Sequence, residues 1–198
     1  MAAHPNPPYN PAAMQNNHSP APLLWNTHHD QPEPRRVALA ALLNRQLADL
    51  IDLGLQARQA HWNVKGPQFA PLHALFEAIS EELGELTDIL AERAVMLGGI
   101  AQGTLQTVTR DSRLAPYPLD ALSGPEHLWP LSAALAHAAQ STRAAIATAE
   151  ESGDAGTTDV LTQLSRSLDT LLWKVESHIA LDPQWSNDAS APRRTESA

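Results

Sequence analysis

His73 and Glu77 stand four residues apart, and so do Asp88 and Glu92. At roughly 100° per residue, Glu77, Asp88 and Glu92 fall about 40°, 60° and 100° from His73, so all four share one helix face. A histidine with three carboxylates suits a borderline-hard divalent ion such as iron(II), manganese or zinc. The same groups could also be the solvated face of an ordinary helix, where pairs at spacing four are common. The charge balance argues against that. Residues 58–99 hold six acids, and only Arg93 among the bases lies on the same helix as those acids.

One helix cannot close such a site. Glu77 and Asp88 are separated by about 16 Å along the axis, too far for one ion. The arrangement that closes a two-metal site inside one bundle needs Glu-x-x-His on two helices, and that motif is absent from the chain. The positions suggest another solution. His73 with Glu92, and Glu77 with Asp88, are symmetric about a centre between Glu82 and Leu83. Two copies crossing antiparallel on a two-fold axis there would set His73 opposite Glu92 and Glu77 opposite Asp88, giving two equal sites. Gly84, beside the centre, would allow close approach. His61, just before the short turn that precedes this helix, is the candidate second imidazole.

Four helices must position these groups. The first, with leucines at helical spacing from Val37 to Leu55, ends at Gly66-Pro67. The second starts near Ala70 or Pro71, runs to Leu97 and is stopped by Gly98-Gly99. The third spans about Pro125 to Glu151. The fourth runs from Thr158, a candidate N-cap, to Leu181. Short links make two antiparallel hairpins. The long link from Gly98 to Gly124 can run back along the whole bundle, with Pro118–Leu122 as a candidate short helix. The expected fold is all-α: a ferritin-like four-helix bundle with one long crossover. Residues 35–182 form this domain. Residues 1–34, with eight of the sixteen prolines, and residues 183–198 are expected to be flexible tails.

Bulk properties narrow the function. The formal net charge of −9 favours cations and disfavours a large nucleic-acid footprint. With no cysteine, thiolate metal sites and disulfides are excluded. No apolar run is long enough to span a bilayer, and no secretory leader is evident, so a cytoplasmic protein is expected.

The segments "HWNVKGPQF", "LHALFE", "D...AERAVMLGG" and "DVLTQLSRSLDTLLWKVES" resemble the Dps family, the DNA-binding proteins from starved cells, over about residues 36–182. The resemblance implies a homo-dodecameric shell. Its two-fold interfaces would oxidise iron(II), with hydrogen peroxide or O2, and iron(III) would be stored inside. By motif, the implied ligands are His61, His73, Glu77, Asp88 and Glu92, with Zn2+ or Mn2+ as alternative ions. Glu77 departs from the family, which more often has aspartate there. The family name also implies an alternative, a nucleoid-compacting DNA-binding protein. The N-terminal tail lacks lysine, however, so DNA binding is expected to be weak or absent.

Other residues carry lesser expectations. Trp62 and Trp173 read as core, with Trp62 also a candidate electron donor. Asp154 and Asp159 are candidates for an acidic pore on a three-fold axis. Glu81, Glu82 and Glu85 read as solvated acids. His127, His137 and His178 read as structural, and the tail residues His4, His18, His28 and His29 define no ligand spacing.

Overall fold

The computed structural model describes residues 24–180. Among them are five helices: α1 (Glu33–Asn63), α2 (Phe69–Met96), α3 (Leu105–Asp111), α4 (Gly124–Glu151) and α5 (Ala155–Glu176). The only β pairing among the described residues is an isolated bridge between Lys65 and Ser123. No described helix is long and apolar enough to cross a membrane.

α1 opens with proline at its first turn, where a missing N–H costs nothing. It buries Leu39, Leu43, Leu47, Leu50 and Leu53. α2 buries Leu72, Phe76, Ile79, Leu83, Leu86, Leu90 and Ala94, at steps of three or four that draw a narrow apolar stripe. Its opposite side is left to the acids. α1 packs on α2 and α4 on α5, and the two hairpins join through α1–α4 and α2–α5 contacts. The result is the expected four-helix bundle.

The crossover runs along α1. Asn44 donates to the Ile100 carbonyl and accepts from the Gln102 N–H. Further on, Asp49 accepts from the Arg113 backbone and guanidinium. At the far end the Lys65 N–H donates to the Leu122 carbonyl. The short extra helix is α3, not Pro118–Leu122. Thr104 caps α3 by accepting from the Thr107 N–H, whereas Pro116 and Pro118 deprive the other stretch of donors.

Three further boundaries differ from expectation. α1 begins at Glu33, inside the stretch expected as a tail. The chain before it lies against the body, where the Trp25 N–H donates to the Gly98 carbonyl, and from the first turn of α1 the Arg36 guanidinium donates to the Leu97 carbonyl. Gly98 has φ +83°, and a Cβ there would sit 2.8 Å from the Arg36 guanidinium, so glycine is required. α5 is capped by Asp154, whose carboxylate accepts from the Thr157 N–H, so the helix starts three residues before Thr158. It ends at Glu176, not Leu181. The tails at 1–23 and 183–198, with His4 and His18, lie outside the described residues.

Candidate metal half-site at the α1–α2 turn

The turn from α1 to α2 spans residues 64–68 and folds the last turn of α1 against the first turns of α2. This brings His61 and His73 together. Their rings stack with centroids 3.8 Å apart and planes 22° from parallel. Each ring bonds the other residue's backbone: His61 Nδ1 lies 2.9 Å from the His73 carbonyl, and His73 Nδ1 lies 2.8 Å from the His61 carbonyl.

The local chain explains the pairing. The His61 carbonyl lies in the last turn of α1, where an intrahelical donor would be the Lys65 N–H. That donor is turned to Leu122 instead, so the His73 ring satisfies the carbonyl. Phe69, one turn earlier, also meets the His73 ring, with centroids 5.0 Å apart and planes tilted by 31°.

The chemistry follows from the acceptors. A carbonyl can only accept, so Nδ1 of each ring must carry the proton. Nε2 of each neutral ring then holds the lone pair. Fixing one ring nitrogen to a carbonyl is how metal-binding imidazoles are oriented. The pair therefore fits a divalent cation, and the absence of thiolate suits an ion that prefers nitrogen and oxygen donors.

Glu77, Asp88 and Glu92 are exposed on α2. Among the described residues, no group of three or more potential ligands converges within the chain. The structure thus joins the two histidines and leaves the three carboxylates spread along one solvent-facing stripe. That stripe also carries Glu81, Gly84 and Glu85, all exposed. A Cβ on Gly84 would meet nothing within 4 Å, so the middle of the stripe is open.

Arg93, the one base on α2, does not neutralise these acids. Its guanidinium forms two 2.8 Å bonds to the Asp154 carboxylate on α5 and a 3.0 Å bond to the Thr157 hydroxyl. Asp154 is buried. Burial pushes its carboxyl pKa up, but the bonds from Thr157 and Arg93 outweigh this and hold it below the ordinary value. Asp154 is therefore an internal ion-pair partner and helix cap, and the expectation that it lines a pore is corrected. Asp159 is exposed. All six acids of α2 lack an ion pair among the described residues.

Two tryptophans also depart from expectation. Trp62 is 68% exposed and Trp173 66% exposed, so neither belongs to the core of one chain. His127 is buried and bonded to Tyr117, whereas His137 and His178 are exposed.

Comparison with known proteins places the fold. The ferritin-like domain family matches residues 40–184. The DNA protection during starvation protein of Agrobacterium fabrum strain C58 is 40% identical over 153 residues, covering 77% of this chain and 94% of that protein. The structure of Mycobacterium smegmatis Dps in a tetragonal form superposes with a TM-score of 0.75 at 27% identity, over 79% of this chain and 94% of that one. DpsC from Streptomyces coelicolor does so with a TM-score of 0.77 at 28% identity, over 81% and 94%. With its five-helix fold, its stacked histidine pair and this similarity along most of its length, the chain belongs to the ferritin-like domain family and, within it, to the Dps proteins.

Proposed function

We propose that the chain is a ferroxidase and iron store whose sites form between two copies. In this reading, two α2 helices cross antiparallel about a two-fold axis near Glu82 and Leu83. His61, His73 and Glu77 of one protomer meet Asp88 and Glu92 of the partner subunit, twice per interface. The observation that carries the reading is the reciprocal imidazole–carbonyl pairing of His61 and His73, which orients two nitrogen lone pairs. The uncompensated acid stripe supports it, since two divalent ions and a partner helix would relieve the repulsion.

Iron(II) is the substrate. Two ions at one site supply both electrons that peroxide needs: two Fe2+, one H2O2 and two protons give two Fe3+ and two waters. Paired delivery avoids the one-electron cleavage that frees hydroxyl radical. The protein holds the ions with open positions for the oxidant and binds the product weakly enough to release it. The family resemblance supports a homo-dodecameric shell in the cytoplasm that stores iron(III) and limits oxidative damage. Zinc and manganese suit the same donors. The net charge of −9 opposes tight DNA binding.

The test is an anaerobic iron(II) titration of full-length protein of measured oligomer size, followed by peroxide. The expected result is oxidation of two irons per peroxide without trapped hydroxyl radical. Absence of oxidation, or a stable monomer, overturns the reading.

A further inference from the structure

His127 on α4 is only 1% exposed, and the Asn63 backbone carbonyl bonds its ring. Its Nδ1 lies 2.7 Å from the Tyr117 hydroxyl, and the two rings are near parallel, 14° apart. The Asn63 backbone carbonyl can only accept, which places the ring's proton on Nε2 and leaves Nδ1 to accept from the phenol. Burial pulls the imidazole pKa down, while Glu126 and the Asn63 backbone carbonyl favour the charged ring. Burial also raises the phenol pKa, so Tyr117 is fully protonated at neutral pH.

The pair touches α1 and α2 at residues that neighbour the proposed ligands in the chain. The edge of Phe76 meets His127 at a centroid distance of 6.0 Å. Phe76 is the residue before Glu77 and lies one turn from His73, and Asn63 is two residues beyond His61. A phenol whose proton can move along a preformed short bond to a buried base is arranged to lose an electron and a proton together.

We infer that the hydrogen-bonded Tyr117–His127 pair is a proton-coupled one-electron donor serving the iron site. It rests on the ferroxidase reading for its oxidant, hydrogen peroxide. When only one iron(II) is bound, peroxide still needs a second electron, and Tyr117 supplies it while its proton passes to His127 Nδ1. One Fe2+, one tyrosine, one neutral imidazole, one H2O2 and two protons give one Fe3+, one neutral tyrosyl radical, one imidazolium and two waters. Oxidant that would otherwise release hydroxyl radical is thereby reduced fully to water.

The experiment has two arms, both on full-length protein. Tyr9 and Tyr117 are the only tyrosines, so a Tyr9→Phe background isolates the second. In the iron-free arm, photogenerated ruthenium(III) tris-bipyridine oxidises the protein, and electron paramagnetic resonance reads the radical. The expected result is a neutral tyrosyl signal that narrows on incorporation of ring-deuterated tyrosine. Its g-values should show a hydrogen bond to the oxygen. Tyr117→Phe, which preserves the ring, should abolish the signal. In the iron arm, peroxide is added at one and at two iron(II) per site, and the same radical should form mainly at the lower loading. Absence of a tyrosyl signal in the iron-free arm overturns the pair, whatever the iron chemistry. A signal there, but none when peroxide oxidises bound iron, overturns its coupling to the site. Failure of iron oxidation itself would count against the ferroxidase reading and leave the iron-free result intact.

Discussion

His61 and His73 hold each other in place: each ring donates to the other residue's backbone carbonyl, at 2.9 and 2.8 Å. In the proposed reading the contact serves both the fold and the site, because the bonds that join the end of α1 to α2 also set which nitrogen of each ring carries the lone pair.

His73→Ala should therefore cost stability as well as iron binding. It leaves the last-turn carbonyl of His61 without a donor, at about 1–2 kcal/mol. Urea unfolding of the variant checks this. Unchanged stability would mean that the carbonyl finds water and the bond contributes little.

Asp154 makes the acid sensitivity of the α2–α5 contact specific. Its folded pKa lies below its ordinary value of 3.8. The unfolded chain thus binds a proton more readily than the folded one. The contribution is present above about pH 4 and is lost as pH falls through the folded value. Asp154→Asn leaves Arg93 buried without its counter-charge and should destabilise the protein at neutral pH by about 3 kcal/mol. Thermal melts from pH 7 to pH 2 should show the gap between variant and parent closing at the acid end. A gap independent of pH would remove the ion pair from the account.

DNA binding should be weak. The acids of α2 are uncompensated, and the net charge is −9. A gel shift with linear duplex DNA at neutral pH and physiological salt should show no retained complex. Tight binding there would mean that the arginines at 35, 36, 193 and 194 outweigh the acidic body.

Much of this was legible in the sequence. The helical spacing of leucines announced α1, the Gly98-Gly99 stop announced the end of α2, and the long Gly98–Gly124 link announced the crossover. The symmetric placement of His73, Glu77, Asp88 and Glu92 needed only the period of a helix. What was not legible depended on partners distant in the chain. Asp154 looked like a free acid because Arg93, its partner, lies 61 residues away. Trp62 and Trp173 looked like core because residue type does not say which side of a helix faces a neighbour. The place of α3 turned on one Thr104 cap, and the contact of His127 on a tyrosine in an irregular stretch.

The central claim is that each site draws on two protomers, and subunit mixing tests it most directly. His73→Ala and Asp88→Ala protein, each inactive alone, are dissociated, mixed in equal amounts and reassembled. A mixed interface keeps one intact site, because His73 and Asp88 of that site come from different chains. Half of the interfaces should be mixed, so ferroxidase activity should return to about a quarter of the parent value. If His73 and Asp88 instead served a site within one chain, the mixture would remain as inactive as either variant, and the two-protomer account would be wrong.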